Sequence, residues 1–239
     1  MPMKKSIFIL VLALLLANSA FAQNNTASKY APKAVDLGLP SGTLWSDRNL
    51  GLTENELEYG NYYCWGAIKS YPDDDQAPRI LNWRTYRYGS AINNLSKYCT
   101  DSSYGNVDNK TQLESEDDAA QMFPKLHKTQ IYGGKWRTPT DKEFQELIDK
   151  CEWIYQTRSG VAGFTVKGPN GNTIFFPFNG YHIGDRKFGL RDMGGYLTST
   201  LCDEYPSYAY IVLMADDYVG CMNGSRKNGY AVRPVMSKK

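Results

Sequence analysis

Gly133-Gly134-Lys135-Trp136-Arg137-Thr138-Pro139-Thr140 runs directly into Asp141-Lys142-Glu143-Phe144, and this passage decides how the chain is read. The two glycines permit a tight backbone turn that a Cβ would resist. Trp136 brings a large apolar body with one N–H to satisfy, and Pro139 keeps a helix from starting any earlier. Thr140 and Glu143 stand at capping-box spacing. The hydroxyl accepts the third helical N–H, and the carboxylate reaches back to the cap's own N–H. Phe144, Leu147, Ile148 and Cys151 then recur at i, i+3, i+4 and i+7, while Lys142, Gln145, Glu146, Asp149 and Lys150 take the opposite face. That spacing predicts an amphipathic helix over 141–151 that lies on a core.

Upstream, Ser115-Glu116-Asp117-Asp118 spells a second capping box ahead of Ala119, Met122 and Phe123, with Pro124 set to end or kink a short helix. Downstream, residues 163–166 and 173–178 flank Pro169-Asn170-Gly171, a hairpin signal. Further strands are predicted at 196–201, 208–214, 218–222 and 230–236, with turns at 215–217 and 223–229 between the last three. Near the start, 35–45 reads as two short strands around Pro40-Ser41-Gly42, and 59–66 as an aromatic strand. Residues 67–114 carry tyrosines, Trp83 and Asp73-Asp74-Asp75 without sustained periodicity. They read as a long ordered loop region, because their aromatic content argues against plain disorder. Two helices among many short strands make an α+β fold with antiparallel sheets.

The first 22 residues have the form of a secretory signal peptide: Lys4-Lys5, an apolar run from Ile7 to Ala17, then Ala20-Phe21-Ala22. The run is short for a bilayer span, and Gln23 rather than a cysteine follows the cut, so no lipobox is present. A secreted or cell-surface location is expected, with a polar tail over 23–34 and one domain over 35–236. Without Lys4 and Lys5 the 27 basic residues fall to parity with the 25 acidic ones. A neutral chain has no electrostatic case for nucleic acid, and no other apolar run predicts stable membrane insertion. Five cysteines are an odd number at wide spacings. Cys202 and Cys221, flanking a strand-rich segment, are the first candidates for a disulfide.

Several phrases match one pattern in order. They are Val35-Asp36-Leu37-Gly38-Leu39-Pro40-Ser41-Gly42-Thr43-Leu44-Trp45, Tyr59-Gly60-Asn61-Tyr62-Tyr63 with Trp65-Gly66, Glu116-Asp117-Asp118-Ala119-Ala120, the opening octapeptide, and Gly229-Tyr230-Ala231-Val232-Arg233-Pro234-Val235. Together these resemble the Fibrobacter succinogenes major paralogous domain, found in exported proteins of gut bacteria. The resemblance implies a C-type-lectin-like fold, with two helices packed on small antiparallel sheets, long loops, and the N- and C-terminal strands paired. It also implies a ligand face on the C-terminal loops. Tyr205, Tyr208, Asp216, Tyr218, Asn223, Arg226 and Asn228 are the contact residues expected there.

No catalytic signature accompanies these phrases. His127 and His182 sit in no zinc-binding spacing, and no nucleophile elbow or phosphate loop occurs. The three aspartates from Asp73 lack the alternation and central glycine of a calcium loop, so no metal or cofactor is expected. Arg137 and Arg233, each beside a bulky apolar residue and just before a proline, read as structural ties, as do Trp136 and Thr140. Tyr59, Tyr62, Tyr63, Tyr71, Tyr86, Tyr88, Tyr98 and Tyr104, interleaved with Gly, Ser and Asn, have the composition of recognition loops. The functional expectation is a non-catalytic recognition or adhesion domain for an extracellular glycan or protein. A carboxylate-dependent enzyme on the same scaffold, or a structural subunit of a surface assembly, are the alternatives.

Overall fold

The computed structural model describes residues 29–71 and 80–238. The signal peptide, residues 23–28 of the polar tail and Asp73-Asp74-Asp75 lie outside the described residues. An N-terminal hairpin, β1 (Ala34–Asp36) and β2 (Thr43–Ser46), is joined by the last strand, β13 (Val235–Ser237), in the order β1-β2-β13. The last strand therefore pairs with β2, Val235 opposite Trp45, and not with the first strand. A five-stranded sheet has the order β11-β10-β9-β12-β3, formed by β3 (Tyr62–Tyr63), β9 (Met193–Leu201), β10 (Tyr208–Ala215), β11 (Tyr218–Ser225) and β12 (Tyr230–Ala231). Its pairings are antiparallel except the single contact of β12 with β9. A third sheet contains β4 (Glu152–Arg158), β5 (Val161–Lys167) and β6 (Thr173–Pro177), and β7 (Tyr181–Ile183) with β8 (Arg186–Phe188) makes a ribbon. Helices α1 (Ala119–Leu126) and α2 (Asp141–Lys150) complete an α+β fold. No helix among the described residues is long and apolar enough to cross a membrane.

The five-stranded sheet separates two cores because successive strand side chains point to opposite faces. Leu197, Ala209 and Ile211 face a cluster with Trp65, Phe123 and Trp136 under α1. Tyr196, Val212 and Met214 face the other cluster, where Phe144 and Leu147 of α2 meet Trp45 and Phe176. Helix α2 begins as its sequence dictates: Thr140 Oγ1 accepts from Glu143 N at 3.1 Å, and Thr140 N donates to Glu143 Oε2 at 2.9 Å.

Other expectations change in the structure. Asp118, not Ser115, caps α1, accepting from Ala120 N, while Ser115–Asp117 forms a 3-10 turn. The same carboxylate accepts from Thr138 N at 2.9 Å and Thr138 Oγ1 at 2.7 Å, so tertiary contact selected the cap. The helix continues through Pro124 to Leu126, since buried Phe123 holds the turn in place. The predicted strand over 230–236 is two strands in two sheets, because Val232 to Pro234 cross from one sheet to the other. Strand β4 had no periodic signal. Its hairpin turns on Ser159 and Gly160, both at positive φ, the two-residue geometry that suits strand twist. Tyr30, assigned to the polar tail, packs against the first core. Cys202 and Cys221 are not bonded: all five cysteines are free. Cys221 stands opposite Val212 in mid-strand with its Sγ 3.9 Å from Asp141 O, whereas Cys202 lies beyond the other end of β10, beside Tyr208.

Candidate functional site

The C-terminal contact residues do not form one face. Tyr205 and Tyr208 sit together, ring centroids 6.2 Å apart, and Asn223 lies nearby, opposite Tyr210. Asp216 and Tyr218 flank the far turn of the β10–β11 hairpin, some seven residues along, about 23 Å at a strand's rise. All five are at least partly exposed. Arg226 and Asn228 are buried, which corrects their assignment as contact residues. Arg226 is wholly enclosed. Its guanidinium donates to Tyr86 OH (2.8 Å), Tyr98 O (2.9 Å), Pro206 O (2.8 Å) and Lys97 O (3.0 Å), with the Trp65 ring 4.8 Å away. It pins the long loop region to the end of β11.

The two arginines read as ties occupy such positions. Arg137 makes a two-pronged pair with Glu143, at 2.7 and 2.6 Å, and its backbone bridges Val235 in both directions at 2.9 Å. Burial would push the Glu143 carboxyl up, but the Arg137 fork and the Thr140 N–H hold it below its ordinary value. Arg233 is buried and donates to Asn49 Oδ1 (2.8 Å), Ser46 O (3.2 Å) and Phe175 O (2.8 Å). Trp136 is 5% exposed in the first core.

Most of the loop tyrosines pack inward. Tyr63, Tyr86 and Tyr98 are buried, and Tyr98 OH donates to Asp117 Oδ2 at 2.6 Å. Glu114, Glu116 and Asp117 cluster closely enough to suggest a metal site, yet Lys97 Nζ lies among them, 2.5 Å from Glu114 and from Asp117 and 4.0 Å from Glu116. Lys97, with Arg87 on Asp117 at 3.3 Å and Lys110 on Glu114 at 2.7 Å, balances the charge of the cluster from within the chain.

A different concavity is the better candidate, a cleft of about 780 Å³ formed by Leu52, Thr53, residues 57–62, Ser70 and His127, with Val161, His182 and Lys187. Its main wall is the phrase Glu58-Tyr59-Gly60-Asn61-Tyr62. Arg48 shapes this wall by donating to Thr53 O and Glu54 O at 3.0 and 2.7 Å, with Asp47 holding its other edge. Asn49 Nδ2 holds Tyr59 O at 2.9 Å, and Asn61 N donates to Leu50 O at 2.8 Å. Gly60 has φ +70°, and a Cβ there would sit 2.7 Å from Asn49 Cβ and Leu50 O, so only glycine lets the wall lie this close to the core.

The lining is aromatic with a few polar groups, the composition of small-molecule pockets. Tyr59 is half-buried. Tyr62 is buried, with its hydroxyl on Asn179 O at 2.5 Å. Lys187 Nζ, on the ribbon, stands 4.4 Å from the Tyr62 ring centroid. His182, 6% exposed, lies edge-on to Tyr62 and Tyr71 at 4.7 and 4.9 Å, and among the described residues neither ring nitrogen has a hydrogen-bond partner. Burial, helped by Lys187, lowers its pKa to about 4, so it is neutral at physiological pH. Asn61 Nδ2 donates to Ser70 Oγ at 3.1 Å. Among the described residues Glu58 is the only carboxylate in the lining, and it accepts from Glu54 N and Asn55 Nδ2.

Tyr59 and Tyr62 belonged to the recognition-loop tyrosines of the sequence, but His182, Lys187 and Val161 carried no signal. They reach the cleft only because β7–β8 and the β4–β5 turn fold back on it. Comparisons with known protein families, with curated proteins and with solved structures find no match for this chain.

Proposed function

We propose that this chain is an exported, non-catalytic recognition domain with a C-type-lectin-like arrangement, binding an extracellular glycan or protein. The observation that carries the reading is the Tyr59–Tyr62 cleft. Its aromatic rings offer apolar contact area beside an amide, a hydroxyl, a carboxylate and an ammonium that can fix orientation. The phrases shared with the Fibrobacter succinogenes major paralogous domain support both the export and the fold. The joining of the N-terminal hairpin to the last strand and the long loop region tied down by Arg226 support the fold alone.

Hydrolysis by two carboxylates asks for an acid and a second carboxylate across the scissile bond. Among the described residues the cleft lining offers Glu58 alone, committed to its own loop, which favours binding over turnover. A glycan and mucin array probed with the purified protein tests the reading. Binding is expected, and Tyr59→Ala should weaken it about tenfold or more with unchanged melting. Silence on glycans, mucins and host extracellular proteins alike would overturn it.

A further inference from the structure

The three-stranded sheet ends on β4, and among the described residues no backbone group outside β5 bonds to that strand. Exposed edges are usually blunted by shortness, proline, a bulge or scattered charge. The edges β1, β13 and β3 are three, three and two residues long, and β6 carries Pro177 while Arg233 takes its Phe175 carbonyl. Strand β11 carries two glycines, Gly220 and Gly224, and has α2 packed against it. Strand β4 is neither short nor broken by proline or a bulge, and its charges, Glu152 and Arg158, stand only at its two ends. It is seven residues in unbroken register, without glycine or proline, and it exposes Ile154 and Tyr155 by 40% and 48%.

We infer that β4 is a homotypic interface, pairing antiparallel with the β4 of a second copy about a two-fold axis at Tyr155. Charge complementarity selects this occupant. Antiparallel pairing centred on Tyr155 sets Glu152 opposite the partner copy's Arg158 and Arg158 opposite its Glu152. It places Trp153 against Thr157 and Ile154 against Gln156. The opposed residues share a face, so both charge pairs lie together on the outer side of one continuous six-stranded sheet. Within one copy Glu152 meets Lys167 at 3.6 Å and Arg158 meets Glu56 at 2.5 Å, and all four side chains stay partly exposed, within reach of a second copy. A shift of one residue in register breaks both charge matches, so the ends of the strand specify the pairing. Dimerisation would also set two ligand clefts on one particle and raise avidity for a repetitive target.

Sedimentation velocity of the purified protein from micromolar to near-millimolar concentration reads the association. A monomer–dimer equilibrium is expected. Glu152→Arg, which sets like charges opposite each other twice per dimer, should weaken it about tenfold or more, with Glu152→Gln intermediate. Glu152→Arg combined with Arg158→Glu should restore it. Glu152 is exposed, so thermal melting of the first two variants should match that of the parent. A monomer throughout the range, or a dimer indifferent to Glu152→Arg, overturns the proposal. A double variant that melts normally yet stays dissociated overturns it too. Should Arg158→Glu loosen the sheet through its contact with Phe175, the ranking Glu152, Gln, Arg alone decides.

Discussion

Arg226→Ala tests whether buried cation chemistry, rather than ligand contact, explains this residue. Its guanidinium is fully enclosed and meets four acceptors at 2.8 to 3.0 Å. Truncation leaves three carbonyls and the Tyr86 hydroxyl without their donor, each at about 1–3 kcal/mol if dry. Water entering the vacated volume recovers part of that loss, and the four terms act as one unit. The expected cost is therefore about 4–5 kcal/mol, near the upper end for one substitution. Arg226→Lys keeps a charge but not the planar fork, so it should cost about 2–3 kcal/mol. Urea unfolding followed by tryptophan fluorescence gives the totals. Amide exchange should show the greatest loss of protection at Lys97 to Asp108, whose backbone the arginine holds. A cost under about 1 kcal/mol, or unchanged stability with lost ligand binding, refutes the reasoning and returns Arg226 to the ligand face.

His182 makes stability depend on acidity. Its folded pKa of about 4 lies below the ordinary 6.5, so the unfolded chain takes up the proton first. Above pH 6.5 the residue contributes nothing. From there down to about pH 4 stability falls by about 3 kcal/mol at most and then levels, and His182→Gln should flatten that slope in urea titrations run at several pH values. Thr140→Ala should cost about 1 kcal/mol by removing the α2 cap. Glu143→Gln should cost more, since it also breaks the two-pronged pair with Arg137, and thermal melting ranks the two. The Glu143 pair stabilises above the ordinary carboxylate pKa and is lost as pH falls through its depressed folded value, so the gap between parent and Glu143→Gln should close in acid. Asp118→Ala removes four accepted hydrogen bonds in a buried corner and should cost about 3 kcal/mol, with Asp118→Asn milder, measured by urea midpoint.

Local chemistry was legible wherever a few neighbouring residues decide the outcome. The Thr140–Glu143 box, the buried face of α2, the Pro169-Asn170-Gly171 turn and the short-strand, two-helix class follow from spacing alone, because each is set by contacts within one or two turns of chain. Choices made across the fold were not legible. Asp118 replaced Ser115 as the α1 cap because Thr138, twenty residues away, shares its carboxylate. Arg226 looked like a loop contact and became a core post because residues 97, 98 and 206 close around it. The cleft arises only when Lys187 and His182 on a ribbon and Val161 on a turn meet the Tyr59–Tyr62 wall. Sequence by itself determined the helices and the strands and turns with a local signal, though not β4 or the β7–β8 ribbon, since those preferences are paid within each segment. Tertiary structure alone decided which polar groups are enclosed and which face a cleft, because burial belongs to residues that meet in space and not along the chain.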